Sequence, residues 1–183
     1  IRSPALDSRG IRPGAAIVLA GRKNPEKCIR SPTLDSRGRK LVAAIVSRVV
    51  EACVFRITHD GPEYLLLRRS ERDNIYPGIW QLVTGSMKDR ERANDAALRE
   101  FREETGMVAK RWWVVPFVNS FYVPVDDAIH LSPVFAMEVQ GDARITLSPE
   151  HQEFSWCSFE DAKEKLVWPG QRYAVELVHE YIV

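Results

Sequence analysis

At 183 residues, 45% of them hydrophobic and 28% charged, with a formal net charge of +1, the chain has the make-up of one globular domain with room for a substantial core. No apolar run approaches a membrane span, and the longest early one, Ala15 to Ala20, lacks the length and flanks of a signal peptide. The three scattered cysteines, Cys28, Cys53 and Cys157, form no Cys-x-x-Cys and no paired Cys/His spacing, which argues against a disulfide framework or a zinc site and points to a reducing, cytoplasmic setting.

Residues 1–40 hold ten Lys/Arg against three Asp/Glu, while the remainder holds sixteen against twenty-two. The basic stretch is read as an extension, disordered or non-native, ahead of a domain over residues 41–183. It contains a repeat: IRSPALDSRGIRPGAAIV (1–18) recurs as IRSPTLDSRGRKLVAAIV (29–46), with thirteen of eighteen positions identical. Two copies are too few for a solenoid. Each copy joins a polar turn to Ala-Ala-Ile-Val, a segment able to add an edge strand to a sheet. A basic tail could contact nucleic acid, but an unselected extension is the favoured reading, and nucleic acid is not an expected partner.

The globular pattern begins near Val42. Val49 to Ile57 and Tyr64 to Arg68 read as strands joined at His59-Asp60-Gly61-Pro62, a hairpin. A loop broken by Pro77-Gly78 leads to a short strand, Trp80 to Thr84. The loop Ser86 to Arg90 precedes a helix from about Arg92 to Thr105, stopped by Gly106. Arg111 to Val115 and Phe117 to Tyr122 follow as strands, with Pro116 as a kink or bulge, and then Ser132 to Val139. Gly141-Asp142 and Ser148-Pro149-Glu150 mark loops. Phe154 to Cys157 is a short strand, Ser158 caps a helix over Phe159 to Leu166, and Gln171 to Tyr181 closes the chain as an amphipathic helix. Strands around a central helix, with helices last, predict a mixed α/β domain.

The central helix carries the chemistry. Glu100, Glu103 and Glu104 stand at i, i+3 and i+4, so their carboxylates are neighbours on one face. Like charges at that spacing repel, and the last helical turn disfavours negative charge. A solvated acidic face is the bland reading of such a cluster. It fares poorly here, because Glu100 has no basic partner at i+4 and Arg99 precedes Glu103 in the weaker orientation. Something positive, most simply a divalent cation, is expected between them.

The whole stretch Gly85 to Met107 resembles the Nudix box, G-x5-E-x7-R-E-U-x-E-E-x-G-U, where U is bulky and apolar. Gly85, Glu91, Arg99, Glu100, Phe101, Glu103, Glu104, Gly106 and Met107 fill every specified position. Seven of these are single-residue requirements, and a chance match in a chain this size is on the order of one in a million or less. From about Val42 to its end the chain therefore resembles the Nudix hydrolases. The resemblance implies an α/β/α sandwich around a mixed sheet, with the box as a loop-helix-loop. It implies Mg²⁺, with Mn²⁺ as a substitute, held by Glu100, Glu103 and Glu104, one of which shares the work of base. It implies an ion pair between Glu91 and Arg99 that orients the loop. Many members add a carboxylate from a later loop, for which Glu150 is preferred over Glu153 as ligand or base; His151 is read as structural or solvated rather than catalytic. Arg90 stands where many members have glycine, which singles out the local loop shape.

For the substrate, LLLRRSERDNIYPGIWQLVTGS, EHQEFSWCSFEDA and Gln171-Arg172 look most like the bacterial dihydroneopterin triphosphate pyrophosphohydrolases, which also act on dATP. Arg68, Arg69, Trp80, Gln81 and Gly85 are the candidate substrate contacts. The expected reaction is Mg²⁺-dependent hydrolysis of a nucleoside or pterin triphosphate to the monophosphate and pyrophosphate. A dinucleoside polyphosphate or nucleotide-sugar hydrolase is the alternative within the class, and a non-catalytic nucleotide-binding module the alternative outside it. The expected partner is a small diphosphate-linked substrate; no membrane partner is expected, and a homodimer is compatible.

Overall fold

The computed structural model describes residues 43–73, 76–124 and 127–183. The readings made for residues 1–40 lie outside them, but the end of the second repeat copy lies within.

That end, Ala44–Val46, is β1, and it pairs in parallel with Ala128–Glu138 (β7). Val49–Thr58 (β2) and Gly61–Arg69 (β3) form the expected hairpin, with Phe55 opposite Tyr64 and Thr58 opposite Gly61. Gly61 adopts φ 119°, which a side chain would resist. The single strand expected over Trp80 to Thr84 is divided. Trp80–Gln81 (β4) pairs with β3, and Val83–Ser86 (β5) pairs with β2. Leu82 sits where the chain crosses between those partners, and its N–H donates instead to Gln171 Oε1 at 3.3 Å.

Ala93–Thr105 is the box helix, α1. Arg111–Val123 (β6) is one strand rather than two, and its register against β7 shifts between Val114 and Val118, so Pro116 lies in a bulge. β7 starts at Ala128, earlier than its apolar pattern predicts, because its pairing with β6 continues through Val123 and Ala128. His151–Cys157 (β8) pairs with β3. Phe159–Lys165 (α2) is capped by the Ser158 side chain, and Pro169–Tyr181 (α3) starts on proline, whose missing N–H costs nothing in a first turn.

The described strands form one mixed sheet in which β2 and β7 are parallel neighbours. Alternation along β2 and β3 divides the interior in two. Val50, Ala52, Val54, Leu65 and Leu67 face α1, where Ala96, Ala97 and Phe101 close one core. Cys53, Phe55, Tyr64 and Leu66 face α2 and α3, whose Ala162, Leu166, Ala174, Val175 and Val178 close the other. This is the expected α/β/α sandwich. No helix among the described residues is long and apolar enough to cross a membrane.

Candidate active site

Arg99 is the hub of the box. Its Nε and Nη2 donate to the two oxygens of Glu91 at 2.8 and 2.9 Å, and Nη2 also reaches the Ser86 carbonyl at 2.9 Å. Nη1 stands 2.9 Å from both Glu100 Oε1 and Glu103 Oε2. The Lys88 N–H adds a bond to Glu91 Oε2 at 2.8 Å. The Arg99 bonds first, and this N–H second, hold the Glu91 carboxyl down at about 2. One guanidinium therefore fastens the loop to the helix. It also places positive charge beside Glu100 and Glu103, so the absence of an i+4 partner does not leave Glu100 uncompensated.

Glu100 lies on the backbone of Gly85: a Cβ there would overlap its Cγ and Cδ. The Ser86 N–H donates to Glu100 Oε1 at 3.0 Å. Glu103 points outward, with its side chain 55% exposed, between Arg99 and Lys88 Nζ at 3.8 Å. Glu104 is the buried member, 3% exposed. Burial, then the charges of Glu100 and Glu150, push its carboxyl up to about 9, against a partial counterweight from Arg69 and the Thr84 backbone. Its Oε2 has no hydrogen-bond partner.

Glu150 reaches this point because its loop docks on the end of α1. The last carbonyls of a helix have no partner within it. Here the Ser148 N–H donates to the Glu104 carbonyl at 3.1 Å and the Thr146 N–H to the Thr105 carbonyl at 2.8 Å. On the other side, the Ser70 N–H donates to the Glu150 carbonyl at 3.0 Å. Glu153 stands opposite Arg68 in the β3–β8 ladder and pairs with it at 3.1 Å. A bulge between Arg68 and Arg69 then turns Arg69 and His151 toward Glu104.

The candidate substrate contacts separate accordingly. Arg69, ion-paired with Asp73, and buried Gln81 stand with Gly85 on the α1 side. Arg68 is spent on Glu71, Glu153 and the Gly78 carbonyl, and Trp80 lies under Lys165 Nζ at 5.0 Å, on the side of α2. His151 sits 4.0 Å from Glu104 Oε2, inside the site and not among solvated residues. Burial, reinforced by Arg69, brings its pKa down to about 4, so it is a neutral neighbour there. Gln81 Nε2 donates to its Nε2 at a long 3.4 Å. The one sequence cue to His151 was its place after Glu150.

Among the described residues no three His, Cys, Asp or Glu side chains form a ready-made metal cage. The fit of a divalent cation rests on donor chemistry. Glu100, Glu104 and Glu150 offer hard oxygens of the kind Mg²⁺ takes. The orphaned, buried Oε2 of Glu104 is an acceptor that a cation would satisfy.

The NUDIX domain signature matches residues 47–178, from β2 into α3. The chain belongs to the NUDIX family. It is a Nudix hydrolase by class. A CTP pyrophosphohydrolase of Escherichia coli is 30% identical over 124 residues, 67% of this chain and 86% of that protein. An octanoyltransferase of Myxococcus xanthus is 35% identical over 126 residues, 63% of this chain; the match spans only 32% of that longer protein. The dihydroneopterin triphosphate pyrophosphohydrolase of E. coli superposes with a TM-score of 0.60 over 74% of this chain and 96% of its own, at 19% identity, a likeness of fold.

Proposed function

We propose that this Nudix hydrolase cleaves a nucleoside triphosphate to the monophosphate and pyrophosphate, with Mg²⁺ as its metal. The observation that carries this reading is Glu104: a buried carboxyl, raised by burial and by Glu100 and Glu150, with one oxygen unsatisfied. Glu100, Glu104 and Glu150 would hold the metal, and Glu103 would join them by leaving Lys88 and Arg99. When bound, Mg²⁺ neutralises phosphate charge and activates water. The chain's own part is positioning. Gly85 leaves room for Glu100, Arg99 and Glu91 hold the loop in register with the helix, and Arg69 adds a positive charge beside the phosphates. Glu150, on an exposed loop, is the carboxylate best placed to take a proton from water. The CTP pyrophosphohydrolase relative supports a nucleoside triphosphate as substrate.

The test is hydrolysis, with and without Mg²⁺, of a panel of nucleoside triphosphates, dihydroneopterin triphosphate, dinucleoside polyphosphates and nucleotide sugars, with products identified. Monophosphate and pyrophosphate from a triphosphate are expected, with loss of turnover in Glu104→Gln. Turnover confined to dinucleotides or sugar nucleotides would overturn the substrate assignment, and no turnover at all would favour a nucleotide-binding module.

A further inference from the structure

Glu51 is a second buried carboxylate, and the site above does not use it. It is 3% exposed, in a strand whose neighbouring inward residues are apolar. Its ladder partners are Thr84 of β5 and Val134 of β7, and Val134 belongs to the core under α2 and α3. Asn119 and Ser132, opposite one another in the β6–β7 ladder, share this face, since Ser132 lies two residues from Val134. Gln171 reaches in from α3, with Nε2 3.4 Å from Thr84 Oγ1. Four polar side chains from four elements thus gather around one acid.

The cluster is incompletely satisfied. Asn119 Nδ2 donates to Glu51 Oε1 at 3.0 Å; Ser132 and Gln171 stand close enough to Glu51 to favour its charge, but neither completes a well-formed hydrogen bond to Oε2. Burial raises the Glu51 carboxyl above its ordinary range, and Asn119, Ser132 and Gln171 oppose this only in part. A well-packed apolar residue would cost less at such a position. Toward solvent the cluster continues through Asn119, whose amide lies against Gly170 of α3. Asn119 is half-buried, and next on the same face Phe121, 39% exposed, stacks on His130 with ring centres 5.5 Å apart. It adjoins the candidate active site along β5. Thr84, opposite Glu51, directly precedes Gly85, on which Glu100 lies.

We propose that Glu51 is the base-selecting residue, its Oε2 accepting a hydrogen bond from an exocyclic amino group of the substrate's base. This rests on the nucleotide reading above. Ionised, Glu51 only accepts, and an amino group facing Oε2 holds it in that form against the pull of burial. The amino group of cytosine or guanine supplies the missing donor, as does that of a 2-aminopterin. An oxo group at the same place sets acceptor against acceptor, and a site built to bond a polar group rejects the analogue that lacks it.

The deciding experiment compares kcat/KM for CTP against UTP and for GTP against ITP, in the intact chain and in Glu51→Gln, with dihydroneopterin triphosphate as a separate arm for a pterin source. The amino member of at least one pair is expected to be favoured by about tenfold or more. Glu51→Gln, a neutral and weaker acceptor whose amide can also turn an N–H toward the oxo group of UTP, is expected to lower that ratio by about tenfold. Ratios within twofold in both wild-type pairs overturn the proposal, and so does a ratio unchanged in the variant, whatever the absolute rates do. If Glu51→Gln does not fold, Asn119→Ala, which removes the amide holding Oε1, is expected to cut the ratio several-fold; no change there overturns it. If the intact chain hydrolyses none of these triphosphates, the proposed reaction fails on its own. Calorimetric titration with CMP, UMP, GMP and IMP then tests base selection separately, and equal affinities, or no binding, overturn it.

Discussion

Glu100 occupies the space that a side chain at Gly85 would need. The overlap falls on Cγ and Cδ of Glu100, so Gly85→Ala forces that carboxylate to swing off the strand. Gly85 is not among the glycines with positive φ, so alanine can adopt the backbone of β5. Stability and activity should therefore part company in this variant. Gly85→Ala is expected to fold with a melting temperature near that of the parent and to lose roughly a hundredfold in kcat, the scale of a small misplacement of a catalytic group. Thermal unfolding beside Mg²⁺-dependent turnover checks this; full activity would mean that Glu100 works from a different position.

Arg99 and Glu91 make the other relationship on which the loop depends. A lysine keeps the charge of Arg99 but cannot form the two-pronged bond to Glu91 or reach Ser86, Glu100 and Glu103 together. Arg99→Lys is expected to reduce kcat by roughly ten- to a hundredfold, as for other residues that orient ligands. Glu91 gives the pair a pH signature. Its carboxyl is held at about 2 in the folded state against 4.5 in the ordinary one. Its stabilising contribution is present above pH 4.5 and is lost as pH falls toward 2. Urea unfolding from pH 6 to pH 2.5 should show a shallower acid loss in Glu91→Gln than in the parent.

Glu104 has the opposite sign. Its carboxyl is pushed up to about 9, so between pH 4.5 and 9 the folded metal-free protein holds a proton that the unfolded chain releases. Stability then falls as pH rises through that window. Metal-free protein is expected to melt at a lower temperature at pH 8.5 than at pH 6, Glu104→Gln to flatten that slope, and Mg²⁺ to restore stability at the higher pH. A parent slope identical to that of the variant would mean that the Glu104 carboxyl titrates normally.

Most of the architecture was legible because its signals are local. The hairpin at Gly61, the helix stop at Gly106 and the Ser158 cap depend on a few adjacent residues, and the box is one continuous stretch. What escaped depends on partners far along the chain. Leu82 looks like mid-strand until Gln171 arrives from α3 to take its N–H. His151 looks like a surface residue until the bulge beside Arg69 turns it inward. Glu51 left a trace, a lone acid inside an apolar strand, but its meaning needs Asn119, Ser132 and Gln171 from three other elements.

Arg90 is a departure from the family pattern with a physical consequence. It sits in the loop before α1 with φ 62°, the left-handed region that glycine enters freely and other side chains enter at a cost. Its side chain is exposed, while neighbouring Lys88 and Glu91 make the bonds that shape the loop. Replacement by glycine relieves the backbone but adds freedom to the unfolded chain, and the two effects partly cancel. The strain of a side chain in this region is about 1–2 kcal/mol and the entropic penalty of glycine about 0.5–1 kcal/mol. Arg90→Gly is therefore expected to stabilise the fold by roughly 0.5–1 kcal/mol, or about 1–4 °C in melting temperature for a domain of this size. Activity should be retained, because the Arg99–Glu91 clasp is untouched. Differential scanning calorimetry decides it: a lower melting temperature would show that the arginine side chain contributes more to the loop than its strained backbone costs.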